Sequence, residues 1–404
     1  MKKQDTGLIV IYRTFSMLFA RLKTPLLITL ASLWVAGCST ITTDKDTKQP
    51  AGIGDILCWN QLPNWNNDSV LQALPALQNQ CPRLGKKDEW AAFCSELSEQ
   101  PPYDEESMRS ALKRYLLPHR IYGKSGNSSG LFTGYYEPTL FGSYQPTARF
   151  NYPLYQRPST MLQLELGSRF PELKDQRVRG LLQGNKVIPF YDRAAIDGQN
   201  KPLAGNEILW VDSADAAFFL HIQGSGRIQL PDGSIVGVGY ADQNGQPYVA
   251  IGKILIERGE LTPEEVSLQT INHWLRSHPK EADELKNQNP SYVFFTLRHD
   301  TESGPRGSLN VPLTQERSAA VDRKVIPLGT PLWISTTLPD KTPYQRLVVA
   351  QDTGGAIRGP VRADIFFGRG SRAEKMAGEM KQKGEIYALI PKESSKIAAS
   401  PTCE

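Results

Sequence analysis

Histidine and cysteine are scarce. Five of each are scattered through 404 residues, with no Cys-x-x-Cys pair and no histidine cluster. That scatter argues against a metal site. Long apolar runs are missing too: the leading one, Pro25 to Ala36, falls short of the ~20 residues a membrane-crossing helix needs. No internal repeat or low-complexity segment is present. Glycine and proline, by contrast, number 33 and 29, so the body should be rich in strands and turns.

Arg21 and Lys23 precede the apolar run and Val35-Ala36-Gly37-Cys38 closes it, the order of a signal peptide ending in a bacterial lipobox. The reading is a leader over 1–37, removed so that Cys38 is lipidated and becomes the new N-terminus. The alternative, an anchor helix with an incidental cysteine, is opposed by the shortness of the run. Translation from either Met1 or Met17 fits. Ser39 stands where an aspartate would signal inner-membrane retention, so the expected location is the periplasmic face of the outer membrane, held by lipid. Five of the 46 basic residues and one of the 42 acidic ones lie in the leader, which leaves the remainder with no formal net charge. No basic stripe argues for nucleic acid. Residues 38–53 are polar and aperiodic and read as a lipidated tether.

The rest is long enough for two domains. Three helical patterns come first: from Asp68 through Leu77 with a kink at Pro75, from Asp88 through Leu97, and from an Asp104 N-cap through Leu116. Cys81 and Cys94 sit on the first two and are expected to form a disulfide in an oxidising periplasm; Cys58 and Cys403 are a weaker pair. From Ser143 to Gly259 the text reads as short strands, among them Ile208–Val211 and Ala217–Ile222, with a hairpin at Gln229–Ser234. Gln223-Gly224-Ser225-Gly226 reads as a loop, either a plain turn or a place where backbone approaches a ligand. Thr262-Pro263-Glu264-Glu265 and Ser371-Arg372-Ala373-Glu374 are capping boxes for helices running through Leu275 and to Lys383. Further strands are expected at Tyr292–Phe295, Val311–Leu313, Val325–Ile334 and Tyr387–Ile390. The pattern is α+β, mainly β, with an N-terminal helical segment.

Two stretches suggest a site. Gly130 to Pro138 carries Thr133, Tyr135, Tyr136 and Glu137; its tyrosines suit either a barrel core or a surface that stacks on sugar rings. Arg346 to Gly370 opens with the apolar strand Leu347–Ala350, which delivers Asp352 into a turn on Gly354 and Gly355. The strand Val361–Phe367 follows, with Val361, Ala363, Ile365 and Phe367 on one face and Arg362, Asp364 and Phe366 on the other. Asp352 is either an Asx-turn or a site residue. Asp364 either pairs with Arg362 on a solvent-facing strand or is an acid held in a site.

These blocks, with Ile222–Gly226, Tyr240-Ala241, Ile251-Gly252-Lys253, Asn289–Phe295 and Asp352–Ile357, resemble the membrane-bound lytic murein transglycosylase A family over nearly the whole chain after the leader. The resemblance implies a double-psi β-barrel domain (54–142 and 285–392) interrupted by a second, smaller β-barrel domain (143–284), with a tail over 393–404. It implies cleavage of the β-1,4 bond between N-acetylmuramic acid and N-acetylglucosamine by the muramic acid's own C6 hydroxyl, leaving a 1,6-anhydro end. An internal nucleophile removes the need for the two carboxylates of ordinary glycosidases. Asp364 matches the family's single acid/base and Asp352 its supporting aspartate. Thr133, Tyr135, Tyr136, Gln223, Gly224 and Ser225 are the candidate sugar contacts. Peptidoglycan strands, the membrane through its lipid anchor and cell-wall synthesis proteins are the implied partners; no cofactor is implied.

Three other readings are weighed against it. An aspartic protease needs a second Asp-Thr/Ser-Gly, and Asp212-Ser213-Ala214 and Asp300-Thr301-Glu302 both lack the glycine. A two-carboxylate hydrolase would use Asp352 with Asp364. A non-catalytic wall-binding lipoprotein would hold glycan without releasing fragments.

Overall fold

The computed structural model describes residues 51–174, 176 and 178–392. The leader, Cys38, the tether up to residue 50, the tail and Cys403 lie outside the described residues. Along the chain come β1 (Gly52–Ile56), α1 (Leu74–Leu84), α2 (Asp88–Glu99), α3 (Glu105–Tyr115), β2 (Leu116–Tyr122), β3 (Gly130–Glu137), β4 (Thr139–Ser143) and β5 (Tyr152–Tyr155). Next are β6 (Leu162–Gln163), β7 (Arg179–Gln183), β8 (Lys186–Pro189), α4 (Arg193–Asp197), β9 (Glu207–Val211), α5 (Ala214–Gln223), β10 (Ser225–Gln229) and β11 (Ile235–Gln243). Then follow α6 (Ile251–Glu257), α7 (Leu268–Ser277), α8 (Ala282–Asn287), β12 (Val293–Arg298), β13 (Ser318–Val321) and β14 (Pro331–Thr337). The chain continues with β15 (Pro343–Asp352), β16 (Arg362–Arg369), α9 (Ser371–Glu379) and β17 (Lys381–Pro391). The architecture is α+β with sheet dominant.

The larger sheet runs β1-β2-β17-β14-β15-β13-β16-β3, and β17 also pairs with β3. Six strands (β3, β16, β13, β15, β14, β17) therefore form a closed hydrogen-bonded circuit. Two of its pairings, β13 with β15 and β16 with β3, are parallel. Side chains alternate across this sheet with the strand period of two. Leu332, Ile334, Val348, Ala350, Ala363, Ile365, Phe367, Ile386 and Ala388 pack into one core. Trp333, Leu347, Val349, Tyr387 and Leu389, one position out of phase, pack into another with the buried faces of α1, α2 and α3. Burial on both faces explains why Leu347–Ala350 reads as an uninterrupted apolar run. A second sheet, β12-β11-β10-β4-β9-β5, encloses its own core of Leu140, Leu209, Leu220, Ile228, Val238 and Phe295. A small sheet, β6-β7-β8, is tied to β11 through Asp242, which takes hydrogen bonds from Arg157 and Arg179.

Several elements differ from the sequence reading, each for a local reason. Ala217–Ile222 lies in α5, not a strand. A short apolar run does not distinguish a buried strand from a buried helix; here Ser213 Oγ accepts from Ala216 N at 3.2 Å, and Gly224 at φ 77° ends the helix. Gln223–Gly226 is consequently a helix-to-strand junction rather than a loop. The Thr262–Glu265 box forms, with Thr262 N on Glu265 Oε2 at 2.9 Å, but closes only a turn; α7 starts later, capped by Ser267. The helix from Ser371 stops at Glu379, where Met380 leaves helical geometry and β17 follows. Pro75 sits in the first turn of α1, where it needs no N–H, and so opens the helix instead of kinking it. Val311–Leu313 contributes only an isolated bridge, Arg306 to Pro312. In Val325–Ile334 the strand begins at Pro331, after a turn in which Val325 and Ile326 N both bond Asp322 O. β13, the short strand Ser318–Val321, is among the elements the sequence reading lacked, together with β1, β2, α4, α6 and α8.

Cys81 on α1 and Cys94 on α2 are joined by a disulfide across 13 residues, with Cα atoms 5.3 Å apart. A loop of that length stabilises by about 3 kcal/mol, mainly through the unfolded chain. Replacing both cysteines by serine should therefore lower denaturant-measured stability by about that amount. An unchanged unfolding midpoint would contradict it.

Candidate active site

β3 and β16 run parallel with Thr133 opposite Asp364 and Tyr135 opposite Phe366, and β13 flanks β16 with Ala320 opposite Asp364. Residues 231 positions apart are thus fixed side by side by backbone pairing. Thr133 Oγ1 lies 2.5 Å from Asp364 Oδ1 and also accepts Arg362 Nη2 at 2.8 Å. A threonine hydroxyl has one proton, and the guanidinium is always a donor. The Thr133 proton must therefore point at Asp364 Oδ1. Arg362 is held by further bonds to Ala363 O at 2.6 Å and Leu131 O at 3.3 Å. Among the described residues no donor reaches Asp364 Oδ2, which leaves that oxygen open. Burial pushes the Asp364 carboxyl above the usual range and the Asp352 charge adds to the rise, while Arg362 and the Thr133 hydrogen bond pull the other way.

Asp352 ends β15 and has the opposite character. Its Oδ1 accepts Thr353 N at 2.8 Å, Ser308 N at 2.8 Å and Ser308 Oγ at 2.9 Å; its Oδ2 accepts Tyr135 OH at 3.1 Å. Burial raises its carboxyl too, opposed by those hydrogen bonds. The turn it pins is the Ser308 loop, not Gly354-Gly355 as the sequence suggested. That loop reaches β15 closely enough that a Cβ on Gly307 would stand 2.6 Å from Gln351 O. Nor do Gly354 and Gly355 need glycine angles; the left-handed residue of this connection is Gly359, at φ 96°, whose N bonds Asp322 Oδ2 at 2.9 Å. Asp352→Ala should release Ser308, cost about 1.5–3 kcal/mol and lower the melting temperature and activity together. Loss of turnover with an unchanged melting curve would instead mark Asp352 as a reacting group.

The two tyrosines lie on opposite faces of β3 and cannot form one stacking surface. Tyr135 packs on Phe366, ring centroids 5.3 Å apart, in a small cluster with Leu313, Ala320 and Ile357. Tyr136 belongs to the main core. Gln223 Oε1 accepts Tyr136 N at 3.1 Å, so the α5–β10 junction is braced against the strand that carries Thr133. A Cβ on Gly224 would stand 4.0 Å from the Tyr240 ring, and Ser225 pairs with Gly239 in β10–β11; no hydrogen bond among the described residues joins either to the aspartates. Thr133, Tyr135, Asp352 and Asp364 thus come together, Gln223 supports them, and Tyr136, Gly224 and Ser225 stand apart. Ser308 and Tyr248 were missed. Tyr248 is raised by burial and then by the Asp364 charge, and its Cβ lies 3.7 Å from where a Cβ on Gly355 would be. Neither sits in a local pattern that marks it. Among the described residues no three potential metal ligands gather.

Comparison with known proteins gives two matching family models, the MltA specific insert domain over residues 131–296 and the 3D domain over 317–390. Membrane-bound lytic murein transglycosylase A of Escherichia coli K12 is 35% identical over 266 residues, which are 64% of this chain and 65% of that protein. The crystal structure of a membrane-bound lytic murein transglycosylase from Agrobacterium tumefaciens is similar with a TM-score of 0.75 and 33% identity, over 86% of this chain and 99% of that one. That of E. coli MltA with bound chitohexaose follows at a TM-score of 0.64 and 27% identity, over 86% and 97% of the two chains. Matching domain models over the stretch with Thr133 and Tyr135 and over the one with both aspartates, and a structural relative above 30% identity along almost its whole length, establish the relationship: this chain belongs to the membrane-bound lytic murein transglycosylase A (MltA) family.

Proposed function

We propose that this protein is a lytic transglycosylase of peptidoglycan that uses Asp364 as its single acid/base. The observation that carries the reading is the asymmetry of the two buried carboxylates. Asp352 is saturated by four donors, whereas Asp364 has one oxygen occupied by Thr133 and the other open. Neighbouring acids in unequal settings take different protonation states. The saturated one carries the charge and the open one holds the proton.

The reaction balances without water. Asp364 Oδ2–H protonates the glycosidic oxygen as its bond to C1 of N-acetylmuramic acid breaks. The C6 hydroxyl closes on C1, and its proton passes to the carboxylate, restoring the acid and leaving a 1,6-anhydro ring. Thr133, locked by Arg362, fixes which oxygen of Asp364 faces substrate. Tyr135 and Ser308 hold Asp352 and leave it no free oxygen for a second carboxylate role. That is why a two-carboxylate hydrolase is the weaker reading; it would add water at each cleaved end, and product mass separates the two.

The remaining parts fit the same reading. The six-strand circuit corresponds to the double-psi barrel (54–142 and 285–392), and the second sheet, extended by β4 and β12 from the flanking segments, to the insert at 143–284. E. coli MltA was crystallised with chitohexaose, which supports a glycan as ligand here. Among the described residues no helix is long and apolar enough to cross a membrane. We take Cys38 as the lipid anchor to the periplasmic face of the outer membrane, with cell-wall synthesis proteins as partners. Digestion of purified murein by the chain lacking residues 1–38, read by mass spectrometry, tests the activity: 1,6-anhydromuropeptides are expected, and hydrated ends or no soluble product would overturn it.

A further inference from the structure

The face of β3 that carries Thr133 and Tyr135 continues to Glu137, and β16 continues from Asp364 past Phe366 to Arg369, which pairs with Glu137. Beyond the Tyr135–Phe366 contact this face opens into a pocket of about 340 Å³. Its lining includes Glu137, Glu302, Gln315, Phe366 and Arg369. Glu137 is only 2% exposed, an unusual place for a carboxylate. Its Oε1 is paired with Arg298 Nη2, but no donor among the described residues reaches Oε2. Arg298 and Arg227 are both engaged by the loop that roofs the pocket: Arg298 Nη1 donates to Gly304 O at 3.1 Å and Arg227 Nη1 to Thr301 O at 2.6 Å. Arg369 Nη1 donates to the same Thr301 O at 2.9 Å while the rest of its guanidinium stays exposed. The loop is thus pinned by three arginines, and the pocket beneath it is a built one.

We propose that this pocket receives the peptide stem of the glycan strand, at a residue bearing both an ammonium and a carboxylate. The ammonium fits between Glu137 Oε2 and Glu302, and the carboxylate fits the free donors of Arg369, a charge-assisted pairing at each end. Spacing agrees. Thr133 to Glu137 is four strand residues, or about 13 Å. A lactyl group followed by two amino acids, at up to ~3.6 Å each, spans about 11 Å, and the third residue's own side chain covers the rest. The assignment rests on the glycan reading, since the stem is carried by the muramic acid placed at Asp364. It goes further in making substrate choice depend on the peptide.

The test is direct binding of the tripeptide N-acetyl-L-alanyl-γ-D-glutamyl-diaminopimelate, its N-terminus blocked as the lactyl amide blocks it in the strand, followed by calorimetry without any turnover. Saturable binding is expected. Glu137→Gln and Glu302→Gln should each weaken it about 10-fold or more, as should acetylation of the one remaining ammonium, on the diaminopimelate. Glu302 is exposed, so its variant carries the test even if Glu137→Gln fails to fold. Absence of saturable binding overturns the subsite, and so does equal affinity for the tripeptide acetylated on the diaminopimelate. Because binding is read without cleavage, a failure here is distinct from a failure of the catalytic assignment, which is read in product alone.

Discussion

Asp364→Asn is expected to release almost no 1,6-anhydromuropeptides while folding normally and still binding murein. The leaving sugar oxygen departs poorly as an alkoxide, and general acid–base help is worth about 10²–10⁴-fold. Here one carboxyl serves both proton transfers, so the loss should reach at least the upper end of that range. The substitution keeps the side-chain shape. The amide oxygen it introduces can still accept from Thr133, so the chain of hydrogen bonds from Arg362 through Thr133 survives in outline. What disappears is the transferable proton at the open oxygen.

The same substitution has a stability consequence with a definite sign. The Asp364 carboxyl is raised in the folded protein, chiefly by burial. Between its unfolded value near 3.8 and the raised folded one, the native state binds more protons than the unfolded state. Stability contributed by this group is therefore complete below the unfolded value and is lost as pH rises through the folded one. Asp364→Asn lacks that loss. It should melt no lower than wild type at neutral pH, with the difference vanishing in acid. Wild-type activity, which needs the protonated form, should fall as pH rises through the same folded value. An activity that rises with pH there would contradict Asp364 as the acid.

The largest stability effect is expected at the far side of the sheet, for Arg317→Leu. Arg317 is 2% exposed and precedes β13, the strand whose Ala320 lies opposite Asp364. Its Nη1 and Nη2 grip Asp68 Oδ2 and Oδ1 at 2.7 and 2.9 Å. Further bonds reach Leu347 O, Ser69 O and Gln72 Oε1, each at 3.0 Å. Asp68 in turn accepts Leu347 N at 2.9 Å. This pair docks the segment ahead of α1 onto β15. Removing one partner leaves a buried charge alone, which costs about 3–5 kcal/mol, whereas replacing both by apolar residues of similar volume is often neutral. Arg317→Leu should therefore unfold at much lower denaturant than wild type, and Arg317→Leu combined with Asp68→Leu should recover much of the loss. Equal stability of the single variant and wild type would show the pair to be inessential.

Asp68 illustrates where reading the chain stops. In sequence it is an ordinary helix-start residue; its true partner is 249 positions away and leaves no local mark. The period-two alternation of β16, by contrast, is local, so the division of Arg362, Asp364 and Phe366 from Ala363, Ile365 and Phe367 is legible in the text and is the division the fold makes. Capped helices such as α3 are legible for the same reason: Asp104 Oδ1 accepts Ser107 N at 2.8 Å within one turn. α5 is not, because its apolar run has no clear period and only its ends identify it. Within the site, Thr133 and Asp364 could be singled out by motif, but that they touch follows only from the parallel register of β3 and β16. Ser308 enters through a loop whose course depends on β15, and Gly359 takes the special backbone angle that Gly354 and Gly355 seemed to need.

The most direct measurement is the mass of the muropeptides that wild type and Asp364→Asn release from purified murein. Single-acid transglycosylation predicts wild-type fragments one water lighter than hydrolysis products, with 1,6-anhydro ends, and almost none from the variant. Fragments carrying the added water, or anhydro fragments at wild-type level from Asp364→Asn, would contradict it.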